Sequence, residues 1–418
     1  MLSEKALICG LFSAQQRETE IAACMVELRA LCQTAGAAVI AQTWQKRSVP
    51  DRKYLIGLGK AEEIKLQIAA AGANLVVFFN VLSSLQQRNL EDLLAVKVID
   101  RSRLILDIFA QRARSIEGQL QVELAQLLYL LPRLTGKGVA LSRLGGGIGT
   151  RGPGESKLET DRRLIKDKIA RIRKKLETVL KNRDLQRQRR HSLPVPLVSL
   201  VGYTSAGKST LFKTLSGEEV YISKKLFSTL DPLLRRVDLF DVHPGYYFIL
   251  SDTVGFIRAM PEELFTSFQA SLEEVHHADL ILHVIDLTNP DWLGQKPEVE
   301  KILQQLKIDR DKIITVYNKI DLLDDRKALL NNKNPREIYI SAVERLGITD
   351  LKEAIFQHYF ADYELYQLEV ADEQQLDALS QWAIVLEKNR SADVFRIGVL
   401  SSRKKMLKFK EKHGGTIQ

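Results

Sequence analysis

Long apolar runs are missing from this chain. No stretch reaches the roughly 18 consecutive apolar residues that a transmembrane helix needs, so no membrane span is expected. The opening residues, MLSEKALICGLFSAQQRETE, hold a short apolar run without a basic leader or a small-residue cleavage site. They read as a first strand and not as a signal peptide. Cysteine is scarce. Cys9, Cys24 and Cys32 are the whole complement, and they lack C-x-x-C or metal-ligand spacing. A sparse, odd set of this kind argues against a disulfide framework or a zinc site and for buried thiols in a reducing compartment. Residues 1–112 contain no phosphate-loop pattern.

What is present is ordinary in amount and uneven in placement. Hydrophobic residues make up 45% of 418 residues, enough for roughly two to four soluble domains. The net charge is +9. Between Arg151 and His191 there are fifteen Lys/Arg and six Asp/Glu, so this tenth of the chain carries an excess equal to the total. Such a local field is the footprint of a polyanion binder, or else a solvated helix face.

Four segments follow from periodicity. Residues 1–112 alternate strand-like and helical stretches (KALICGLF, then QQRETEIAACMVELRALCQTAG, then AAVIAQTW, and onward to NLVVFFN and SLQQRNLEDLLAV), which predicts an α/β domain with at least partly parallel strands. Residues 113–193 differ. Leu120, Leu124, Leu127, Leu131 and Leu134 step by four and three, and Ile165, Ile169, Ile172, Leu176 and Val179 repeat the rhythm. Two such segments predict an antiparallel helical hairpin zipped along an apolar seam. Between them lies TGKGVALSRLGGGIGTRGPG, with eight glycines in twenty residues and Lys137, Arg143 and Arg151. Its G-x-G-x-x-G letters follow no strand, so a dinucleotide fold is rejected. A basic loop at the hairpin tip or an unstructured linker both remain open. After HSLPVP, residues 194–360 alternate strands and helices. Residues 361–418 read as a small α/β appendage, with a strand at LYQLEV, a helix at DEQQLDALSQWAIVLEK, a strand at DVFRIGVL and a basic end.

The third segment carries the chemistry. VPLVSLVGYTSAGKSTLFKTLSG is an apolar strand, a G-x-x-x-x-G-K-S loop and a helix. Gly202 and Gly207 let the backbone of Tyr203, Thr204, Ser205, Ala206 and Thr210 wrap phosphates, Lys208 reaches the β- and γ-phosphates, and Ser209 is a magnesium ligand. YYFILSDTVGF delivers Asp252 to the same end, where it too can serve magnesium, and Gly255 offers a pivoting N–H to a γ-phosphate. IITVYNKIDLL holds Asn318, Lys319 and Asp321. A carboxylate at Asp321 can accept both the N1–H and the 2-amino hydrogen of guanine, and adenine offers neither. EIYISAVERLGI places Ser341, Ala342 and Val343 beside the base. Thr229, with Phe227 and the alternative Ser228 in SKKLFSTLDP, is the natural cap for magnesium and γ-phosphate. Lys208, Thr229 and Gly255 are the candidate catalytic groups, and Ser209, Thr229 and Asp252 the candidate metal ligands. Together these predict a Ras-like P-loop GTPase domain that takes GTP or GDP and Mg2+. The glutamine that orients water in Ras-like enzymes is missing. Phe256 stands in its place and cannot polarise water.

RKYLIGLGKAEEI, RSRLILDIFAQRARSIEGQLQVELAQLLYLLPRL, GGGIGTRGPGESKLETDRR, LFSTLDP and DTVGFI together resemble the HflX GTPases over nearly the whole chain. The resemblance implies a monomeric, cytoplasmic GTPase that binds the large ribosomal subunit, both rRNA and ribosomal protein, and dissociates or rescues stalled ribosomes. Peripheral membrane association is left open. It further implies ATP binding by the N-terminal domain in some members, which no residue here supports independently. Ser205 departs from the asparagine that helps hold potassium in related GTPases. Its hydroxyl is a shorter and weaker ligand, which leaves a K+ site in doubt. Two other readings remain: a GTP-gated RNA-binding scaffold with slow intrinsic hydrolysis, and an RNA-modification GTPase working with a separate catalyst.

Overall fold

The structure, a computed structural model, describes residues 4–136, 153–191, 195–217, 233–253, 255–256, 275–324, 326–331, 334–370, 379, 382–391, 394–413 and 416–417. Phe227, Ser228, Thr229 and the glycine-rich stretch before Pro153 lie outside these. Among the described residues the chain forms two compact units, one up to Thr178 and one from Val179 onward.

The first unit begins with β1 (Lys5–Phe12), α1 (Glu18–Ala35), β2 (Ala38–Lys46), α2 (Leu58–Ala71), β3 (Leu75–Phe78), α3 (Ser84–Leu94), β4 (Lys97–Asp100) and α4 (Arg101–Arg112). The four strands form an all-parallel sheet in the order β2-β1-β3-β4. Crossover helices are what parallel pairing requires. Leu7, Cys9 and Leu11 of β1, with Val76, Phe78 and Val98, pack against Ile64 and Ile68 of α2 and Leu90 and Leu94 of α3. Local signals start the helices: Ser83 and Gln86 form a reciprocal capping box, and Asp100 caps α4. All three cysteines are buried and outside any disulfide, and burial pushes the Cys9 and Cys32 thiols up to about 12, so those two are inert packing groups.

Two helices complete this unit, α5 (Ile116–Leu130) and the start of α6 (Pro153–His191). Leu124 and Leu127 meet Ile169, Ile172 and Leu176 in one buried cluster, edged by Leu120, Leu131 and Ile165. The predicted seam is therefore present. Leu128 joins it, and the chain has left the α-helix before Leu134, which falls in a 3-10 turn at Leu131–Gly136. Glu123 and Lys168 pair beside the seam at 2.6 Å.

The second unit holds β5 (Leu197–Gly202), α7 (Lys208–Ser216), β6 (Leu233–Asp238), β7 (Tyr247–Asp252), β8 (Leu280–Asp286), α8 (Trp292–Gln305), β9 (Ile313–Asn318), α9 (Arg326–Leu330), β10 (Glu337–Tyr339) and α10 (Ile348–Tyr359). Its sheet runs β10-β9-β8-β5-β7-β6, with only β6 antiparallel to its neighbour. The carboxyl ends of β5, β7, β8 and β9 thus lie side by side, the end of an open α/β sheet where ligands bind.

The tail adds β11 (Tyr363–Val370), β12 (Ile384–Ser391), β13 (Val394–Ser402), α11 (Arg403–His413) and β14 (Thr416–Ile417), with an antiparallel sheet ordered β12-β13-β11-β14. One expectation is corrected here. Of the predicted helix DEQQLDALSQWAIVLEK, most of the part before Trp382 lies outside the described residues, and the part from Ile384 is strand β12, because Ile384 and its successors pair with β13 and Ile384 buries in the neighbouring domain's core. Tyr363, Ile384 and Leu400 share that core with Phe248, Leu250, Ile355 and Phe360, so the tail is continuous with the P-loop domain in packing.

Candidate functional site

The loop after β5 is built from backbone that few side chains tolerate. A Cβ on Gly202 would lie 2.2 Å from the Val284 carbonyl oxygen of β8. Gly207 adopts φ +95, and a Cβ there would lie 2.2 Å from the Asn318 amide nitrogen. Both positions need glycine for space and for conformation, since Gly202 also lies at positive φ, +154. Ser205 also sits at positive φ, 64°. The loop then opens α7, whose first residue is Lys208.

Lys208 is buried. Its Nζ donates to the carbonyls of Gly202 at 3.0 Å and Tyr203 at 2.9 Å, which leaves one of three hydrogens for another acceptor. Burial drives its pKa down to about 8, against the opposing charge of Asp252. Next in the chain, Ser209 Oγ donates to Asp252 Oδ2 at 3.2 Å, so the two expected metal ligands are brought together. Hydroxyl and carboxylate oxygens are the donors a hard divalent cation takes.

The segment after Asp252 is sewn onto the phosphate loop. Thr253 Oγ1 donates to the Leu200 carbonyl at 2.6 Å. Phe256 N–H donates to the Gly202 carbonyl at 3.0 Å, and Thr204 N–H donates to the Phe256 carbonyl at 2.8 Å. A Cβ on Gly255 would stand 2.9 Å from Thr204 Cγ2 and 3.0 Å from Lys208 Nζ. Gly255 therefore lies against the lysine head. The Phe256 ring is 1% exposed. It is a core side chain.

The third cluster gathers around β9. Asn318 Nδ2 donates to the Ala206 carbonyl at 2.9 Å, and its Oδ1 accepts from Ala342 N–H at 3.1 Å. One amide thus ties the phosphate loop to the 341–343 loop. Ser341 is fully buried and its Oγ accepts from Glu344 N–H, whereas Val343 is 74% exposed. Asp321 Oδ1 is buried without a hydrogen-bond partner. A buried carboxylate oxygen left so is costly, and a donor pair such as the guanine edge is the kind of group that would satisfy it.

Every expected site residue among the described ones falls at this end of the sheet. Two further side chains escaped the motif reading. Thr214 Oγ1 of α7 donates to the Ala342 carbonyl at 2.7 Å, and Asp286 at the end of β8 pairs with Lys319 at 2.6 Å. The signal for Asp286 was its place as the last residue of a strand ending at the site.

Family profiles match in three blocks: one described as GTP-binding GTPase N-terminal over residues 22–110, one as GTP-binding GTPase Middle Region over 112–190, and one as 50S ribosome-binding GTPase over 197–319. A GTPase HflX of Caldanaerobacter subterraneus subsp. tengcongensis is 49% identical over 362 residues, 87% of this chain and 82% of that protein. GTPase HflX of Escherichia coli is 43% identical over 355 residues, 84% of this chain and 82% of its own length. Among solved structures, a GTP-binding protein from the hyperthermophilic archaeon Sulfolobus solfataricus in complex with GDP is 24% identical with a TM-score of 0.44, over 85% of this chain and 98% of that one. The class is thereby a P-loop GTPase with an α/β domain and a helical hairpin before it. Within that class, the chain belongs to the HflX GTPase family.

Proposed function

We propose that this GTPase is magnesium-dependent, binds the large ribosomal subunit, and acts to dissociate or rescue stalled ribosomes, with the ribosome stimulating hydrolysis. The observation that carries the trigger is Phe256. At 1% exposure, its apolar ring is in no position to orient water as a glutamine would. Intrinsic turnover is then slow, and the missing positioning comes from outside the domain. The partner reading is supported by the profile described as 50S ribosome-binding GTPase over residues 197–319. It is supported too by the exposed basic face of α6, which includes Arg162, Arg163, Lys166, Arg171, Arg173, Lys174 and Lys175. Relatives are named GTPase HflX. Among the described residues no helix is long and apolar enough to cross a membrane, and the working location is the cytoplasm, as a monomer.

In this reading Gly202 to Thr210 wrap the phosphates. Lys208 holds the β- and γ-phosphates through its remaining hydrogen, and Gly255 offers its N–H to the γ-phosphate. Ser209 and Asp252, together with Thr229, would hold Mg2+, which would supply positive charge to the phosphate oxygens. Asn318 fixes the loops, Asp321 reads guanine, and Ser341, Ala342 and Val343 border the base. GTP hydrolysis at saturating nucleotide, with and without purified 50S subunits, tests the proposal. Stimulation of roughly a hundredfold or more is expected, within the range that supplied charge gives other GTPases. Turnover that stays at the intrinsic rate while GTP still governs subunit binding would make the chain a GTP-gated scaffold instead.

A further inference from the structure

Asp286 is the charged side chain at this site that no motif explains. It ends β8 and lies in register with Asn318 of β9. Its carboxylate is fixed before it reaches across. Oδ1 accepts from the Thr288 N–H at 2.9 Å and from the Thr288 hydroxyl at 2.6 Å. That leaves Oδ2 for the Lys319 ammonium, at 2.6 Å. The pair is largely shielded, with the aspartate side chain 13% exposed and the lysine 30%.

Lys319 is an unusual residue to find so tethered. It adopts φ 68°, a left-handed conformation that L-residues rarely take. Its neighbour Asn318 binds both site loops, and two residues further on Asp321 carries the unpartnered buried oxygen. A lysine stem has four rotatable bonds, and leaving them free costs binding entropy when a ligand orders them. Anchoring the ammonium settles that order in advance. The methylene stem is then a fixed apolar wall beside the purine pocket, and the head group is kept out of it.

We propose that Asp286 is a positioning residue for guanine-nucleotide binding: by holding the Lys319 ammonium it fixes the lysine stem as one wall of the base pocket, setting affinity for GDP and GTP alike and leaving phosphoryl transfer untouched. The proposal rests on the reading of residues 318–321 as the base site. Asp286→Asn separates the tether from the turn, because an amide oxygen still accepts from Thr288 while the amide nitrogen faces the ammonium without attraction.

The full-length chain is titrated with a fluorescent GDP, competed with a non-hydrolysable GTP analogue, and assayed for steady-state GTP hydrolysis. D286N raises Kd for both nucleotides by the same factor, about tenfold, as expected for a lost charge-assisted contact. KM follows, and kcat at saturation stays within about twofold. K319M has a similar effect, and D286N/K319M binds no more weakly than K319M alone. An unchanged Kd in D286N, additive losses in the double variant, or a fall in kcat without a change in Kd would each overturn the proposal. Should D286N fail to fold, Thr288→Val loosens the same carboxylate and is expected to weaken both nucleotides about threefold. Asp321→Asn controls for the underlying reading. Its amide can donate to the 2-oxo group of xanthine, so it should shift preference from guanine to xanthine nucleotides. If D321N keeps its guanine preference, the base-site reading fails. If D321N switches and D286N is inert, only the tether fails.

Discussion

Lys208 loses most of its hydration to burial and retains two backbone carbonyls as partners, with the result that its pKa falls to about 8. A bound polyphosphate reverses the balance, since its negative charge favours the ammonium. Nucleotide binding above that pH must therefore take up a proton. The sign follows directly. Below about pH 8 the lysine is charged in both free and bound protein, and affinity does not depend on its titration. Above it the free protein is deprotonated, and Kd for GDP rises by up to about tenfold per pH unit until the bound form's pKa is reached. Calorimetry in buffers of unlike ionisation enthalpy at pH 8.5 to 9 should show close to one proton taken up, and Lys208→Met should abolish that uptake. A pH-independent Kd across this window would mean that Lys208 is already charged in the free protein or does not meet the phosphates.

At the scale of elements, Phe256 shows what a motif cannot say. The letters D-x-x-G-F establish that no glutamine follows the glycine. They do not reveal that residue 256 pairs its backbone with both Gly202 and Thr204 and buries its ring. Installing glutamine should accordingly fail. Phe256→Gln would bury an amide where a ring packs, costing the domain about 3 kcal/mol. Its thermal unfolding should fall by roughly 10 °C, with no gain in intrinsic turnover. A faster intrinsic rate in F256Q would mean that the side chain can reach the nucleotide after all.

The β6–β7 turn is a second such case. His243 stacks on Phe356 of α10 at 3.4 Å and 10°, donates from Nε2 to Glu353 at 2.7 Å, and has Asp241 nearby paired with Lys352 at 2.6 Å. The Glu353 side chain is 41% exposed, so solvent weakens its contact with the imidazole and the stack outweighs it. His243→Ala should lower stability to urea by about 1 kcal/mol. GDP affinity should hold within about twofold, because the turn is at the opposite end of β7 from Asp252.

Legibility follows the same division. Periodicity exposed β1, β3, α1 and the seam of Leu124, Leu127, Ile169, Ile172 and Leu176, because each is written in local spacing. That Lys208, Ser209, Asp252, Asn318 and Asp321 would gather at one end of the sheet was legible, because nucleotide chemistry asks for those groups at those offsets. What stayed hidden depends on partners distant in sequence. Residues 384–388 read as the end of a helix in the sequence but find their hydrogen bonds on β13, and Thr214 finds Ala342 128 positions away. Asp286 marks a strand end in the sequence, but its partner Lys319 is found only once β8 lies beside β9.

For the whole molecule, the uneven charge is the property that reaches beyond any one site. Arg151 to His191 carry an excess of nine positive charges, as large as the net charge of the whole chain. In α6 the apolar stripe of Ile169, Ile172 and Leu176 is spent on the seam with α5, which leaves Arg171, Arg173 and Lys174 exposed beside it. Exposed charges of one sign repel each other and add little to folding, so their concentration on one helix face makes sense mainly through a partner. For an RNA partner the signature is thermodynamic. Each phosphate neutralised releases counterions, and the logarithm of the association constant falls with the logarithm of salt by roughly 0.7 to 0.9 per contact. Replacing Arg171, Arg173 and Lys174 by glutamine should therefore flatten the salt dependence of 50S binding by about two units of slope. Sedimentation of the GTP-analogue-bound chain with subunits, at potassium chloride concentrations from low to physiological, measures it. GTP turnover without ribosomes should be unaffected, since none of the three belongs to the nucleotide site. A slope identical to that of the unaltered chain would return these side chains to the role of a solvated face.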